Sequence, residues 1–386
     1  MKRIGILFAV FGLSLFAQVA QADWTPAKRL TWNSGFSEYP AIAVDSYGNI
    51  HVVWFDNTPG NYEIYYKKST DGGSTWMTSQ RLTWNSGESY NPAIAVDSIG
   101  NPHVVWDQYK PENHEVYYRK STDGGSTWMT SQRLTWNSGG SGGPDIAGDS
   151  SGNVHVVWSD NTPGNAEIFH KKSVDGGASW TAAKRLTWTS GESYHPRMGI
   201  DSLGHLHVVW SDDLYLYKSE IYYKKSMDGG STWMTNQRLT WGIGASVEGA
   251  IAVDSFGNVH LVWQGFSAPG KRDIFYRKSV DGGSTWLTRK RLTWISGDSM
   301  DPGIGVDSSG SIHMAWEGYS TPGNFDIFYR KSVDGGSIWM ASQRLTWNSG
   351  DSIDPAIVVD SSGYLHVVWQ DRTPGNWEIY YKKYIK

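Results

Sequence analysis

The sequence contains no cysteine among its 386 residues. This absence excludes both disulfide bonds and a lipid-modified cysteine anchor. Charged residues make up only 19% of the chain, with a formal net charge of -4. This small acidic excess argues against nucleic acid as a partner, and it does not indicate any other class of partner. Helical periodicity is also missing after residue 22, so a large all-β core must hold the protein together.

The first 22 residues have the three parts of a secretory signal peptide. Met1-Lys2-Arg3 supplies the charged start, residues 4–19 form an apolar run, and Ala20-Gln21-Ala22 supplies the small residues of a cleavage site. We expect cleavage after Ala22, a secreted or periplasmic location, and no membrane insertion of the mature chain, because the run is short for a bilayer. Removing the peptide would take the net charge to -6.

Residues 23–386 read as one domain built from seven repeats. The tetrapeptide Arg-Leu-Thr-Trp recurs every 52 or 53 residues, which is typical of a solenoid or a propeller. In the first unit, strand-like runs cover residues 41–45, 51–55, 63–69 and 76–83. Four antiparallel strands per unit, repeated radially, predict an all-β, seven-bladed β-propeller. The tetrapeptides start at Arg29, Arg81, Arg133, Arg185, Arg238, Arg291 and Arg344.

Tryptophan spacing indicates where the ring closes. Trp24 precedes Arg29 by five residues, the same spacing that Trp76 keeps from Arg81. Residues 23–32 are therefore expected to supply the outer strand that the C-terminal blade lacks, which removes the free sheet edges. The repeat pattern assigns 21 of the 22 tryptophans to the framework and leaves only Trp377 unassigned.

A turn motif recurs within six of the units. Residues 69–76 read Ser-Thr-Asp-Gly-Gly-Ser-Thr-Trp, and the Asp-Gly-Gly run is suited to a tight turn. The motif resembles the Asp-box, or BNR repeat, of sialidases and other β-propellers. The resemblance implies a turn between the third and fourth strands of a blade, and both catalytic and non-catalytic propellers carry it. Its structural residues are Asp71, Trp76, Asp123, Trp128, Asp175, Trp180, Asp228, Trp233, Asp281, Trp286, Asp334 and Trp339.

Two further sets of polar residues recur with the repeat. Seven histidines such as His51 each follow an aspartate such as Asp45 by six residues. We interpret each pair as a bonded turn and expect no metal, because equivalent residues of different blades are too far apart to share one ion. An acid opens every third strand, and we interpret each as a solvated or arginine-paired strand end in preference to a ligand for cations or sugars. These acids are Glu63, Glu115, Glu167, Glu220, Asp273, Asp326 and Glu378. No cofactor is expected.

Two loops per blade are expected on the face opposite the Asp-box turns, and there the repeats differ most. Variable tips on a constant frame are where binding residues usually sit, although drift is also least costly there. Aromatic tips could stack on sugars or form contact hot spots. The candidate binding residues are Tyr39, Tyr90, Tyr109, Tyr194, Tyr319, Trp377, Glu192, Asp301 and Asp354.

The resemblance to sialidases makes glycoside hydrolysis the enzyme alternative. That family needs three converging arginines, a tyrosine nucleophile paired with a glutamate, and an aspartate acid/base. Arg197, Arg272 and Arg372 are the candidates for the arginines and Asp145 for the acid, but no tyrosine and glutamate match a motif. In addition, equivalent carboxyl groups in seven similar repeats are expected to have the same surroundings, whereas glycosidase catalysis needs two carboxyl groups in different environments.

We therefore predict no catalytic residues and an exported, monomeric binding propeller that recognises a glycan or a protein. Seven similar loop sets would favour avidity on a polymer or a coated surface. The alternatives are a sialidase-like exo-glycosidase and a purely structural surface module.

Overall fold

The structure of the protein is a computed structural model that describes residues 23–110, 113–213, 218–242, 244–321 and 323–385. Residues 1–22 lie outside this range, so the signal peptide, its cleavage after Ala22 and the location remain predictions. No helix in the described ranges is long and apolar enough to cross a membrane.

Seven four-stranded antiparallel sheets form a ring, as the repeats predict. The first, innermost strands are Ser37–Val44, Ser89–Val96, Ser141–Gly148, Glu192–Ile200, Ser246–Val253, Ser299–Val306 and Ser352–Val359. The second strands are Ile50–Asp56, Pro102–Lys110, Val154–Asp160, Leu206–Asp213, Val259–Ala268, Ile312–Thr321 and Leu365–Asp371. The third strands are Glu63–Ser69, Asn113–Lys120, Glu167–Ser173, Ser219–Ser226, Lys271–Ser279, Asn324–Ser332 and Glu378–Ile385. The outer strands are Gln80–Arg81, Gln132–Arg133, Lys184–Arg185, Gln237–Arg238, Lys290–Arg291, Gln343–Arg344 and, in blade seven, Asp23–Trp24 with Lys28–Arg29.

The N-terminal segment closes the ring, as predicted. Trp24 pairs with Tyr384 and Arg29 pairs with Tyr380 in the sheet of blade seven. Trp24 also donates its indole N–H to Gln343 at 3.1 Å, as Trp128 donates to Gln80 at 3.0 Å in blade two. Trp24 is therefore the seventh member of its series. Each outer strand is only two residues long; in blade one it is Gln80–Arg81, and residues 76–79 and 82–83 of the predicted run 76–83 lie outside it.

The core lies between adjacent blades and is centred on the second strands. Every residue of Ile50–Asp56 is buried, and the second-strand tryptophan has an exposed fraction of 0–1% in each blade. The first strands are different, since most of their residues are only half-buried. The first strands are the innermost of each blade and contact one another around the ring, so their less buried residues line the axial channel.

The tryptophans of the Arg-Leu-Thr-Trp repeats are not part of the core. All seven are 61–66% exposed, although the sequence assigned them to the framework. The leucine two positions earlier is the buried residue of the motif, with an exposed fraction of 1–2%. The outer strand ends before the tryptophan, so its indole lies on the outer wall of the ring.

The motif predicted as an Asp-box forms a turn closed by its own side chains. In blade one, Asp71 accepts hydrogen bonds from the Thr75 N–H at 2.8 Å and from the Thr75 hydroxyl at 2.6 Å. Ser69 Oγ accepts the Gly73 N–H at 2.9 Å. Gly73 has φ +89°, and a Cβ there would lie 2.1 Å from the Tyr381 hydroxyl, so this turn requires glycine. We call the face with these turns the turn face and the opposite one the loop face.

Both recurring polar sets have the structural contacts that the sequence analysis preferred. Asp45 accepts the Tyr47 and Asn49 N–H groups at 2.9 and 2.8 Å, and His51 Nε2 lies 3.3 Å from its carboxylate. The acid that opens each third strand is buried and pairs with the arginine of the same blade's tetrapeptide, as Glu63 does with Arg81 at 2.8 Å. Neither set is available to a ligand.

Blade three departs from one core contact, and this departure gives a prediction. In the six other blades the second-strand histidine lies 2.6–2.9 Å from a tyrosine hydroxyl. In blade three, His155 Nδ1 faces His170 Nε2 at 3.1 Å, and burial lowers the pKa of His170 well below 6.5. We expect His170→Tyr to stabilise the protein by about 1 kcal/mol by restoring the hydroxyl partner.

The pH dependence of that gain follows from the lowered pKa. Below pH 6.5 the unfolded chain protonates His170 and the folded protein does not, so folding loses stability as the pH falls. The advantage of His170→Tyr should therefore grow from pH 7 to pH 5 in denaturant unfolding. An advantage that shrinks over this range would contradict the assignment.

Candidate functional site

A backbone bulge in every first strand aims one side chain toward the axis on the loop face. The register of the first and second strands skips there, for example between Glu38 and Ala41. The residue at the bulge has a positive φ of 47–59° in all seven blades. We call these seven residues the bulge ring; they are Tyr39, Asn91, Gly143, His195, Glu248, Asp301 and Asp354.

The neighbouring blade fixes the backbone of several bulge residues. The N–H of Asp301 donates to Gln264 at 3.0 Å and the N–H of Tyr39 donates to Gln370 at 2.6 Å. At the equivalent position of blade six stands Glu317, which accepts the Asp354 N–H at 2.9 Å. A third carboxyl group is thereby placed next to the two aspartates of the ring.

Asp301, Glu317 and Asp354 form an acid cluster at the mouth of the channel. Their nearest carboxylate oxygens all lie within 4.8 Å of one another, a spacing at which they could hold a cation. Without a cation, burial and the charges of Asp301 and Asp354 raise the pKa of Glu317 to about 9. Burial and the same kind of repulsion raise the pKa of Asp354 to about 8 and that of Asp301 to about 6. Two of the three groups therefore hold protons at neutral pH.

A histidine–carboxylate pair lies beside this cluster. His195 Nδ1 and Glu248 Oε1 lie within hydrogen-bond distance of each other. Burial opposes ionisation of Glu248, but the hydrogen bond from His195, together with the charges of His195 and Arg197, lowers the pKa of Glu248. The mouth thus contains carboxyl groups in opposite protonation states.

Tyr39 joins the acid cluster to a group of aromatic rings. The charge of Asp354 is the main cause that raises the pKa of Tyr39 to about 12. The ring of Tyr39 stacks on Phe55 at 5.3 Å between centroids. Phe55 in turn contacts Tyr62 at 5.1 Å and Tyr90 at 5.3 Å, both edge-on. We call these four rings the aromatic cluster; its Tyr39 is 49% exposed.

The structure places the other predicted binding residues outside the acid and aromatic clusters. Tyr109 contacts His114 in blade two, Tyr319 contacts Phe325 in blade six, and each pair stays within its own hairpin. In blade four, the Tyr194 hydroxyl donates to Asp213 at 2.9 Å, and the Tyr194 ring contacts His195 of the bulge ring edge-on at 5.0 Å. Glu192 accepts the Ala166 N–H at 2.6 Å and Trp377 lies under Arg372. Of the nine predicted residues, Tyr39, Tyr90, Asp301 and Asp354 belong to the two clusters.

The three arginines proposed for a sialidase make separate contacts. Arg272 lies over Phe266 at 5.6 Å, Arg372 lies over Trp377 at 5.9 Å, and Arg197 donates to the Pro196 carbonyl at 3.1 Å. No hydrogen bond or ring contact in the described ranges joins one arginine to another. Asp145 accepts the Met198 N–H at 2.7 Å, and no Asp145–Arg197 ion pair is formed among those residues.

The sequence analysis did not select Glu317, Glu248 or His195 as site residues. Its argument that identical repeats leave no asymmetric centre is wrong at the bulge ring, where seven positions hold six residue types. One signal in the sequence was that the residue just before the first-strand proline differs between repeats, whereas the residues around it are nearly constant. A second signal was Glu317 at a position where blades five and seven have Gln264 and Gln370.

Comparisons with known proteins identify the fold. No protein-family profile matches the chain, and no curated protein matches its sequence. A protein of unknown function from Dyadobacter fermentans is similar over 93% of this chain and 99% of its own, with 14% identity and a TM-score of 0.61. An ulvan lyase of polysaccharide lyase family PL25, bound to -[GlcA(1-4)Rha3S]-, is also similar. The similarity covers 92% of this chain and 95% of the lyase, with 11% identity and a TM-score of 0.65.

A third similar structure is the intramolecular trans-sialidase of Ruminococcus gnavus in complex with oseltamivir carboxylate. The similarity covers 90% of this chain and 94% of the trans-sialidase chain, with 14% identity and a TM-score of 0.53. Identities this low establish architecture alone. The chain is a seven-bladed β-propeller similar in fold to sialidase-like propellers.

Proposed function

We propose that the protein is an exported, non-catalytic binding protein that takes a glycan at the bulge ring and the adjoining aromatic cluster. The observation that carries the proposal is the positive φ of six bulge residues that are not glycine. Each such residue costs about 1–2 kcal/mol relative to a relaxed backbone. Gly143 shows that the frame accepts glycine, which would remove this cost. Retained side chains at strained positions therefore support a role in binding.

The chemistry of the mouth suits a ligand rich in hydroxyl groups. An ionised carboxylate such as Glu248 accepts hydrogen bonds, whereas a protonated one such as Glu317 also donates. The exposed face of Tyr39 offers a stacking surface for a sugar ring beside these groups. The saccharide bound by one of the similar folds, the ulvan lyase, adds support by analogy.

A glycan array probed with residues 23–386 tests this proposal. We expect Tyr39→Ala to weaken binding to the selected glycan about tenfold, since one stacked aromatic ring is worth 1–2 kcal/mol. The matched control is Tyr47→Ala, which removes a tyrosine 72% exposed on the turn face of the same blade. Equal affinities of the two variants would contradict binding at the bulge ring, and an array without any hit would favour a structural module.

Glycoside hydrolysis is the second candidate, favoured by one observation. The pKa of Glu248 is lowered while that of Glu317 is raised to about 9, and a glycosidase needs one ionised and one protonated carboxyl group. The same preparation should be assayed on chromogenic glycosides that include a sialoside. Turnover abolished by Glu317→Gln would establish an enzyme, and loss in Arg197→Ala or Arg372→Ala would make it sialidase-like.

Export is part of the proposal and has its own measurement. Mass spectrometry of the protein recovered outside the cytoplasm should find Asp23 as the first residue. An intact Met1 in that fraction would contradict cleavage after Ala22.

A further inference from the structure

The geometry points to seven equivalent binding sites on the outer wall of the ring, where the exposed tryptophans and paired cations bind an anionic saccharide. Each site is an outer groove, which we define by the tryptophan and arginine of one Arg-Leu-Thr-Trp repeat and the cation on the third strand of the next blade. These sites are separate from the bulge ring and do not depend on the function proposed there. The seven indoles are Trp32, Trp84, Trp136, Trp188, Trp241, Trp294 and Trp347.

The solvent exposure of these seven indoles is energetically unfavourable, and it occurs in all seven repeats. An indole left largely in water forgoes several kcal/mol of burial, at roughly 25 cal/mol per Å² over its 150–250 Å². Simple copying of the repeat does not explain its persistence, because another exposed position has diverged freely. The third residue of the Asp-Ser-x-Gly turn, exposed in Tyr47, Ile99, Leu203 and Phe256, holds five residue types in seven copies. The exposed tryptophan is the same in all seven.

Two cations flank each indole. The arginine of the same repeat lies 5.5–5.9 Å from the ring centroid. A second cation from the next blade lies at 5.2–5.9 Å; the seven are Lys67, Arg119, Lys171, Lys224, Arg277, Arg330 and Lys382. An indole enclosed between two cations would be mostly covered. Exposure near two-thirds therefore indicates that one face stays open.

Among the residues that the structure describes, the second cation of each pair has no acidic partner. Arg29 is neutralised by Glu378 at 2.6 Å, whereas Lys67 Nζ donates to the Leu30 carbonyl at 2.6 Å and has no carboxylate within 4 Å among the described residues. Lys67 is only 7% exposed. Burial of this unpaired charge lowers the pKa of Lys67. Lys171, Lys224 and Lys382 repeat the same contact with a leucine carbonyl.

An arriving carboxylate or sulfate would offset this uncompensated charge. The groove between blades seven and one has a volume of about 360 Å³ and is lined by Arg29, Trp32, Lys67 and residues 74–76. This volume lies near the lower end of the 300–1,000 Å³ range of small-ligand sites. Stacking of a sugar ring on the open indole face and pairing of its anionic group with the cations together specify a uronate or sulfated sugar. Seven such grooves would bind a polymer with high avidity.

Anionic disaccharides measure the sites one at a time. We would titrate residues 23–386 with digalacturonate and with a heparin disaccharide, which separate carboxylate from sulfate recognition, and with maltose as the neutral control. We expect seven equivalent sites for at least one anionic probe and none for maltose. In the triple variant W32A/W188A/W347A, the stoichiometry should fall from seven to four with an unchanged Kd per site.

Elution from immobilised anionic polymers and a thermal melt provide two further tests of the outer grooves. The triple variant should leave immobilised heparin or polygalacturonate at lower salt than the parent, while Tyr47→Ala, which removes an exposed ring outside both proposed sites, leaves at the parent's salt concentration. A cooperative melt of the triple variant confirms that it is folded; if it does not fold, the three single variants should each bind six. An unchanged stoichiometry, equal binding of maltose, or retention only on vesicles with anionic lipid would overturn the proposal.

Discussion

Deletion of residues 23–32 is expected to abolish the stable monomeric fold. The segment supplies both outer strands of blade seven, and two of its residues belong to inter-blade cores. Leu30 is 1% exposed between blades seven and one. Trp24 contacts Tyr329 of blade six at 5.1 Å and Tyr384 of blade seven at 5.3 Å. Large-to-small changes at such positions typically cost about 2–5 kcal/mol each.

The deletion also leaves a buried charge without its partner. Arg29 pairs with Glu378 at 2.6 Å, and the Asn33 N–H donates to the same carboxylate at 3.0 Å. Breaking a buried pair by removing one partner typically costs about 3–5 kcal/mol. Together with the lost apolar contacts, this approaches or exceeds the roughly 5–15 kcal/mol by which domains are stable.

The measurement is size-exclusion chromatography with thermal unfolding of residues 33–386. We expect aggregation or a non-cooperative melt, because the third strand of blade seven presents a free edge. A synthetic peptide of residues 23–32 added during refolding should restore the monomer, which distinguishes the missing strand from a general folding defect. A truncated protein that is soluble, monomeric and melts cooperatively would refute this account of ring closure.

Replacement of Glu317 by glutamine is expected to stabilise the protein at alkaline pH. The glutamine amide oxygen can accept the Asp354 N–H that Glu317 accepts, just as Gln264 and Gln370 accept the equivalent N–H groups. The substitution thus keeps the backbone contact and removes one buried acid from the cluster. We expect a gain of about 2–4 kcal/mol at pH 8, at 1.4 kcal/mol for each tenfold change in proton affinity.

The sign of the pH dependence follows from the raised pKa. The unfolded chain ionises Glu317 near pH 4.5, whereas the folded protein retains the proton to about pH 9. Folding of the parent therefore takes up a proton between these values, and stability falls as the pH rises through that window. Glu317→Gln removes this loss. The two proteins should have nearly equal stability at pH 4 and diverge progressively up to pH 9.

Urea unfolding between pH 4 and pH 9 measures the difference, and Glu63→Gln is the matched control. Glu63 is also a buried glutamate, but it pairs with Arg81 and accepts the Asn85 N–H at 3.0 Å. Its replacement should destabilise the protein by about 1–3 kcal/mol at neutral pH. Identical signs for the two glutamine variants would show that the cluster does not hold its acids protonated.

The fold could be predicted because the repeat period, the strand pattern within each repeat and the tryptophan spacing all indicate the same architecture. Spacing of the Arg-Leu-Thr-Trp units fixed the blade number, and the position of Trp24 relative to Arg29 located the closure. Exposure of the repeat tryptophans could not be predicted in the same way. Period-2 alternation does not reveal the direction of residues that follow the end of a strand, and both the buried leucine and the exposed tryptophan follow the two-residue outer strand.

The acid cluster was missed for a different physical reason. Asp301, Glu317 and Asp354 come from three strands, and their meeting depends on a register skip at the bulge that no local pattern encodes. The sequence predicts Asp301 and Asp354 as variable loop residues, whereas Glu317 is not among the predicted site residues. Reading the same position across all seven repeats, instead of along one of them, would have found it.

The bulge also determines how this molecule could acquire new recognition properties. Each bulge backbone is fixed by its strand, by the following Pro or Gly, and in several blades by a hydrogen bond that its N–H donates to the preceding blade. The side chain of the bulge residue therefore contributes little to folding. One residue per blade can therefore be exchanged without rebuilding the interior. Randomising these seven codons would produce a combinatorial library of receptors on an unchanged scaffold.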